Sequence, residues 1–394
     1  MELYHINSST QSIVLKSENH SMPAIIYWGK KLGAEIDLSQ MDTTACYDLA
    51  GGMIDAVIPI DIFPQCGDSF AGHAGLKIRS KTGIKLYPKF RLCSVEATNS
   101  KFSCVVSDDK LGLVYNASLW ADVYSDLIVS SAELKCKGPV IVDWFSAPVV
   151  PIDDFALELV EFSGRWTKEL QMNHVQWLPG ARVRDNPTGR SGHEHFPAVF
   201  VMEQNSNNNS GKAYGLHYGW SGGHKMVAEE LPDGRRQIQM GHASGSYREA
   251  DVTFKTAPLY MAFGENGLNS VSTQFQRFVS SKLKNNPASR KPRPIHFNCW
   301  EAVYFEHSLE KLKHLAQTAA ELGAERFVLD DGWFGKRNND KTSLGDWNVD
   351  YEKYPNGLSP LIDHIKDLGL DFGIWFEPEM VNNESELYTN HPDW

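Results

Sequence analysis

Short apolar runs separated by turn-forming residues fill the first 285 positions of the chain. Val140–Val142 and Phe196–Phe200 are typical of these runs, and Gly, Asn, Asp and Pro residues stand between them. Runs of this kind predict β-strands, and no long stretch in this region shows helical spacing. Residues 205–211, rich in Asn and Ser, predict a hairpin loop between two strands. So many short strands indicate a large β-sandwich domain over residues 1–285.

The pattern changes at a connector rich in Pro, Lys and Arg, Asn286–Pro294, after which strands alternate with amphipathic helices. Ser308 and Ser359 predict the starts of two helices, and Gly323 and Gly369 predict their ends. The predicted strands are Ile295–Trp300, Phe327–Asp331 and Phe372–Phe376. Strands joined by helical crossovers pair in parallel, so this region is expected to belong to a TIM (β/α)₈ barrel.

A complete TIM barrel takes about 250 residues, whereas residues 286–394 are far fewer. We therefore expect a second domain, 286–394, that is the first part of an incomplete barrel, truncated after about three strands. A small three-stranded α/β appendage that is complete as written is the alternative. The predicted fold class is thus multidomain, with a β-rich sandwich followed by an α/β unit.

Composition and charge narrow the range of partners. The 394 residues are 42% hydrophobic and 22% charged, which is typical of a globular protein, and the net charge of -11 argues against nucleic acid or an anionic membrane surface. No apolar run approaches the roughly 20 residues of a membrane helix, and the first residues do not resemble a secretion signal. A cytoplasmic location is expected. The six cysteines show no C-x-x-C spacing, and in a large chain that lacks a signal peptide they are expected to be reduced thiols.

Carboxylates and indole rings stand where the predicted barrel strands end. Asp330 and Asp331 close the second strand, and Trp300 and Trp375 end the first and third. Sugar hydroxyls need hydrogen-bond acceptors and the C–H face of a sugar suits an aromatic plane, so these four residues are candidate sugar-binding groups. Two alternatives stay open, since one aspartate could cap a turn while the other pairs with Arg337, and the tryptophans could simply pack inside the barrel.

Other polar residues offer weaker candidates. Spacing alone would pair Asp331 with Glu377 as the two carboxylates of a glycosidase. Asp346, beside an aromatic in the loop after the second strand, could meet a ligand or stabilise a turn. His193 and His195 have the look of a spaced metal pair, but no third ligand stands nearby in the sequence, so we expect hydrogen-bonded loop histidines and no metal site.

Six short motifs in this order and spacing resemble the α-galactosidases of glycoside hydrolase family 36. They are Asn298–Glu301, Asp330–Phe334, Leu344–Trp347, Lys353–Leu358, Gly373–Val381 and His391–Trp394. Upstream segments resemble the N-terminal β-supersandwich of the same family, namely Gly164–Glu169, Gly189–Ser191 and Gly215–Gly222. The resemblance is strong after residue 290 and weak before residue 160.

The resemblance implies a retaining hydrolase that removes terminal α-linked galactose from oligosaccharides such as melibiose and raffinose, without a metal or organic cofactor. Asp330 and Asp331 match family residues that accept hydrogen bonds from galactose, and Trp300 and Trp375 match aromatics of the same subsite. The family often forms homotetramers. The parent protein could instead act on α-N-acetylgalactosamine or transfer galactose.

The chain also departs from the family pattern. The family's nucleophile is an aspartate in a Lys-x-Asp-x-Asn segment and its acid/base is a further aspartate, and neither segment occurs in the 394 residues. We therefore expect Asp331 and Glu377 to be no substitute for them, so that this chain holds binding groups and no catalytic residue. A noncatalytic galactose-binding or scaffolding fragment is the alternative function.

Overall fold

The computed structural model describes residues 1–44, 57–243, 245, 253–283 and 291–394. The chain divides into two compact units, Met1–Asn285 and Asn286–Trp394, and each unit has a hydrophobic core of its own. Part of the expected connector between the domains, 284–290, lies outside the described residues, as does Cys46. The five described cysteines are unpaired thiols.

The described part of the first unit is built from twenty strands. They are β1 (Glu2–Asn7), β2 (Gln11–Ser17), β3 (Ala24–Lys30), β4 (Leu76–Ser80), β5 (Lys85–Leu86), β6 (Arg91–Thr98), β7 (Lys101–Asp108), β8 (Leu113–Ala121), β9 (Ile128–Cys136), β10 (Val140–Phe145), β11 (Val150–Ile152), β12 (Ala156–Arg165), β13 (Lys168–Gln176), β14 (Gly180–Asn186), β15 (Ala198–Glu203), β16 (Ala213–Tyr218), β17 (His224–Glu230), β18 (Arg236–His242), β19 (Thr253–Lys255) and β20 (Leu259–Gly264). Strands β15 and β16 pair antiparallel, which confirms the hairpin predicted around residues 205–211.

These strands form four antiparallel sheets. The largest has ten strands in the order β13-β12-β15-β16-β20-β9-β8-β7-β6, with β19 beside β9, and the others are β1-β2-β3, β10-β4-β5 and β11-β18-β17-β14. Strand β8 shows why the sheets stack: Leu113, Tyr115, Ala117 and Leu119 are buried while the residues between them are half-exposed. The ring of Tyr115 stacks on Phe63 at 3.9 Å between centroids. The predicted period-2 pattern therefore builds the core of the sandwich.

The prediction that residues 1–285 are β-structure throughout is wrong at three places. A 17-residue helix, α2 (Gly267–Leu283), follows β20, and a short helix, α1 (Ser39–Thr44), and a 3₁₀ turn, Cys66–Asp68, occur earlier. Helix α2 buries Leu268 and Val271 against the large sheet, with Phe275 and Phe278 packed beside them. These four residues have helical spacing, but the many Ser, Thr, Asn and Gln residues between them make the segment resemble a loop.

In the second unit three short strands form a parallel sheet in the order β21-β22-β23. Its elements are β21 (His296–Asn298), α3 (Trp300–Val303), α4 (Leu309–Glu321), β22 (Arg326–Leu329), α5 (Ser359–Asp367), β23 (Asp371–Ile374) and α6 (Glu386–Asn390). Helices α4 and α5 bury Leu312 and Leu361 in the core that also contains Phe327 of β22. The parallel strand order and the helical crossovers confirm the alternation of strands and helices that was predicted for this region.

The ends of the three strands and the first residue of α5 differ from the predicted boundaries. Each strand ends two residues before its predicted end, so Asp330, Asp331 and Trp375 lie just after strands and Trp300 opens α3. The Ser308 side chain, although at the N-cap of α4, forms no capping hydrogen bond within the described chain. The cap of α5 is Leu358, and Ser359 is its first residue.

The predicted helix ends are confirmed. Gly323 and Gly369 have φ values of 89° and 80°, the left-handed conformation that terminates helices. None of the helices in the described part of the chain combines the length and apolar character that a membrane span requires.

Candidate active site

Polar side chains gather at one edge of the parallel sheet because the carboxyl ends of parallel strands point the same way. Asn298 is the last residue of β21, Asp330 directly follows β22, and Trp375 directly follows β23. Asn298 of β21 pairs with Val328 of β22, and Leu329 of β22 pairs with Ile374 of β23. Asn298, Asp330 and Trp375 therefore lie at or just after the ends of three neighbouring strands. The sheet therefore brings residues from three distant parts of the sequence to one edge.

Asp330 is held by two donors. Its Oδ1 accepts the backbone N–H of Asp331 at 2.7 Å, and its Oδ2 accepts a hydrogen bond from Asn298 Nδ2. Asn298 in turn accepts the backbone N–H of Trp300 at 2.8 Å, so one asparagine links the first aspartate to the first tryptophan. The side chain of Asp330 is only 9% exposed. The thiol of Cys299 lies 3.4 Å from the Asp330 amide, and burial raises its pKa to about 11, so it stays protonated.

Asp331 forms a buried ion pair with Arg337. Arg337 Nη2 donates to Oδ2 at 2.8 Å and Nε donates to Oδ1 at 2.9 Å, so the guanidinium grips the carboxylate with two parallel bonds. The two residues are 6% and 4% exposed. The sequence left open whether this aspartate binds a ligand or pairs with Arg337, and the structure shows the pairing. The ion pair does not exhaust the carboxylate, because each of its oxygens has two lone pairs.

Both tryptophans are half-buried and packed against other aromatics. The Trp300 ring meets Tyr304 and Phe305 edge-on, each at 5.1 Å. The Trp375 ring lies 6.1 Å from Trp347, and its carbonyl accepts a hydrogen bond from the indole N–H of Trp333 at 3.0 Å. The packing alternative weighed in the sequence is therefore realised in part, and neither residue is fully buried.

Asp346 has a structural role. Its two carboxylate oxygens accept the backbone N–H groups of Glu386 and Leu387, each at 2.9 Å, at the start of helix α6. The side chain is buried and binds the start of α6, 40 residues further along the chain, so its structural role differs from the local turn considered in the sequence. Glu377 is half-buried three residues after β23.

The histidine pair of the first unit gains no further ligand. Across the residues that the structure describes, no cluster of three or more His, Cys, Asp or Glu side chains could hold a metal ion. Among these residues, none adds the third ligand that a zinc site at His193 and His195 would need.

The sequence did not indicate the role of Lys353, which forms hydrogen bonds to loop carbonyls near the aspartates. Lys353 Nζ donates to the backbone carbonyls of Phe305, Gly332 and Arg337 at 3.1, 2.9 and 2.8 Å. Burial lowers the pKa of this ammonium group, and the nearby Asp350 and Asp331 partly restore it. Lys353 belongs to the motif Lys353–Leu358, but nothing in the spacing predicts three carbonyl partners.

Gly332, directly after the aspartate pair, occupies a position that has little room for a side chain. Its φ is 106°, which L-residues rarely adopt, and a Cβ there would lie 3.1 Å from His307 Nε2 and 3.3 Å from Phe305 Cα. The chain can therefore turn sharply under the site only because this residue is glycine.

His307 should make the stability of this unit depend on pH. It lies 2.6 Å from the Tyr354 hydroxyl, and burial, followed by the charge of Lys353, lowers its pKa from 6.5 to about 4. Between these values the unfolded chain binds a proton that the native state does not, so stability falls as the pH drops from 6.5 towards 4. The slope is at most about 1.4 kcal/mol per pH unit.

His307→Gln is expected to reduce this slope, measured as the shift of the urea midpoint between pH 7 and pH 5. His217 of the first unit also has its pKa lowered to about 4 by burial, so the wild type is compared with His307→Gln and His217→Gln in parallel. An unchanged slope in His307→Gln would contradict the assignment.

Adjacent buried carboxylates, an asparagine and half-buried tryptophans at the carboxyl edge of a βα sheet make a candidate carbohydrate-binding site, because this edge carries the active sites of barrel enzymes. The comparisons with known proteins agree. Residues 21–246 match the glycosyl hydrolase family 36 N-terminal domain, and residues 253–394 match Melibiase. The chain belongs to glycosyl hydrolase family 36.

Among its relatives, an alpha-galactosidase from Escherichia coli is 35% identical over 99% of this chain and 54% of its own length. The solved structure of the GH36 alpha-galactosidase AgaA from Geobacillus stearothermophilus aligns with a TM-score of 0.90 at 27% identity, over 100% of this chain and 59% of AgaA. An AgaA variant in complex with raffinose gives a TM-score of 0.90 at 26% identity, with the same coverage. The chain thus spans little more than half the length of these relatives, and the supersandwich and partial-barrel architecture is that of the family.

Proposed function

We propose that this chain forms the galactose-binding part of a retaining α-galactosidase that removes terminal α-linked galactose from oligosaccharides of the melibiose and raffinose type. The observation that carries the proposal is the pair Asp330 and Asp331, two adjacent buried carboxylates fixed by protein donors at the carboxyl edge of a barrel sheet. The raffinose complex of the related AgaA and the name of the Escherichia coli relative support this choice of substrate.

Asp330 and Asp331 suit galactose because protein donors leave some of their carboxylate lone pairs available to sugar hydroxyls. A carboxylate offers about four lone-pair sites, and protein donors occupy only part of them on Asp330 and Asp331. Galactose differs from glucose in its axial 4-hydroxyl. If a carboxylate receives that hydroxyl, glucose leaves a buried charge without its partner, which costs far more than the loss of an ordinary contact.

We assign Asp330, Asp331, Trp300 and Trp375 to substrate binding and no residue among the 394 to bond cleavage. A retaining enzyme needs two carboxyl groups about 5–5.5 Å apart, one free to attack and one able to donate a proton. Asp331 is paired with Arg337 and Asp346 accepts two backbone amides, and neither lies in a segment that resembles the family's nucleophile motif, so we assign neither to attack on the sugar. No metal or organic cofactor enters the proposal, and a homotetrameric assembly and a cytoplasmic location stay predictions.

The test is a pair of titrations of the purified chain with galactose and glucose, followed by tryptophan fluorescence and calorimetry. We expect galactose to bind at least about 100-fold more tightly than glucose, the equivalent of about 2.7 kcal/mol. No p-nitrophenol should be released from p-nitrophenyl α-galactoside. Equal affinities in a folded sample would refute the sugar assignment, and turnover that is lost in a folded Asp331→Asn sample would show that carboxylates of this chain perform the chemistry.

A further inference from the structure

Arg337 distributes its donors between the site and a remote loop. Nε and Nη2 face Asp331, while Nη1 donates to the Thr342 carbonyl at 2.8 Å and to Asn382 Oδ1 at 2.9 Å. The guanidinium carbon also lies 5.4 Å from the centre of the Phe305 ring. Arg337 therefore cannot turn away from Asp331 without losing contacts on every side.

Asn382, eight residues after β23, is itself fixed to the loop that follows β22. Its Oδ1 also accepts the backbone N–H of Leu344 at 3.0 Å, and its own N–H donates to the Leu344 carbonyl at 3.0 Å. A further backbone bond, from Ser343 to the carbonyl of Glu384 at 2.9 Å, joins the same two segments. The loop after the third strand thus reaches the aspartate of the second strand through a single arginine.

We propose that Arg337 is a positioning residue that sets the direction of the free lone pairs of Asp331 and thereby determines selectivity for the axial 4-hydroxyl of galactose, with Asn382 fixing Arg337. This inference rests on the proposed function, because it concerns how the same aspartate reads the sugar. A two-pronged guanidinium bond occupies one side of the carboxylate and fixes its plane, which leaves one acceptor direction on each oxygen.

Direction matters because an axial and an equatorial hydroxyl on the same carbon point along different lines. A carboxylate free to rotate would follow either hydroxyl and would discriminate weakly between the two epimers. A carboxylate locked by Arg337 favours the epimer whose hydroxyl meets the remaining lone pair. Arg337 is therefore expected to act on the ratio of affinities more than on the general strength of sugar binding.

The experiment compares Arg337→Lys and Asn382→Ala with the wild type, using the full chain and three probes: galactose, 4-deoxygalactose and glucose. Lysine keeps the charge but cannot bond to both carboxylate oxygens and to Asn382 at once. We expect Arg337→Lys to weaken galactose binding about 10- to 30-fold, the loss of one or two charge-assisted bonds. The affinity for 4-deoxygalactose, which has no 4-hydroxyl, should change less than about threefold because its remaining contacts are untouched.

Asn382→Ala should have the same signature with a smaller loss, about 3- to 10-fold for galactose, because it removes one hydrogen bond from the arginine. The matched control is Arg326→Lys, an arginine that pairs with Asp371 at 3.0 Å at the amino ends of β22 and β23. This control should bind all three sugars like the wild type.

An equal loss for galactose and 4-deoxygalactose in both variants would show that Arg337 only supports the fold, and would overturn the proposal. So would unchanged galactose affinity in both. If Arg337→Lys does not fold, as judged by thermal unfolding, Asn382→Ala decides alone by the same criterion. The wild type separates the two hypotheses: failure of the wild type to prefer galactose refutes the proposed function, whereas an unaltered preference in the variants refutes only the role of Arg337.

Discussion

Asp330→Asn is expected to weaken galactose binding roughly 30- to 150-fold, the equivalent of about 2–3 kcal/mol for hydrogen bonds to a charged acceptor. Asparagine has the same shape as aspartate. In the wild type the backbone N–H of Asp331 donates to Asp330 Oδ1, and the side-chain oxygen of asparagine can still accept this bond. The variant loses the negative charge and the second acceptor, so Asn298 Nδ2 no longer meets a carboxylate. Calorimetric titration with galactose measures the change.

The control for this variant is Asp371→Asn, which removes an exposed carboxylate at the opposite ends of the same strands. It should bind galactose as the wild type does. The thermal unfolding temperature of Asp330→Asn should stay within a few degrees of the wild type, because about 1 kcal/mol of lost bonding shifts it little in a chain of this size. A galactose affinity within threefold of the wild type would remove Asp330 from the binding site.

Asp331→Asn is expected to lower the free energy of unfolding of the second unit by about 3–5 kcal/mol, because it leaves the buried guanidinium of Arg337 without a counter-charge. Arg337 is 4% exposed and cannot recover its hydration without disturbing the contacts around it. Urea unfolding followed by tryptophan fluorescence measures the loss. Asp371→Asn again serves as the control, since an exposed ion pair contributes at most about 1 kcal/mol.

A double variant separates electrostatics from packing. Asp331→Leu combined with Arg337→Met replaces the ion pair by apolar side chains, and such replacements are often neutral or stabilising. We expect the double variant to regain most of the stability lost in Asp331→Asn and to bind galactose more weakly than the wild type, because the carboxylate is gone. Equal stability losses for Asp331→Asn and Asp371→Asn would mean that the Arg337 pair is no stronger than a surface contact.

The sequence located the elements of the second unit well, since helical periodicity and terminating glycines such as Gly323 and Gly369 are local signals. It extended each strand too far, because apolar residues such as Trp375 continue after the backbone has left the sheet. Helix α2 was missed because its four apolar anchors stand among residues typical of loops. These anchors become recognisable only when the sheet that they cover is known.

For the site, the sequence proposed Asp330 and Asp331 as sugar-binding candidates and named Arg337 as a possible partner of one of them, and the structure shows that partner to be Asp331's. Asn382 could not be found in this way. It bonds to Arg337 across 45 positions, and an asparagine after a strand has no pattern that points to a particular arginine. Local chemistry was therefore predictable, whereas the long-range hydrogen bonds that orient it required the fold.

Gly332 limits how this site can be re-engineered. In a library that randomises the loop for a new sugar preference, every residue other than glycine at this position would require the backbone to move. The φ of 106° disfavours such residues, and their Cβ would lie 3.1 Å from His307 Nε2 and 3.3 Å from Phe305 Cα. Asn382 is a more open choice, because it lies in a separate loop and contacts Arg337, through which we propose that it orients Asp331. Under the proposed function, natural drift should accordingly leave the turn unchanged and accumulate substitutions in the segment after β23.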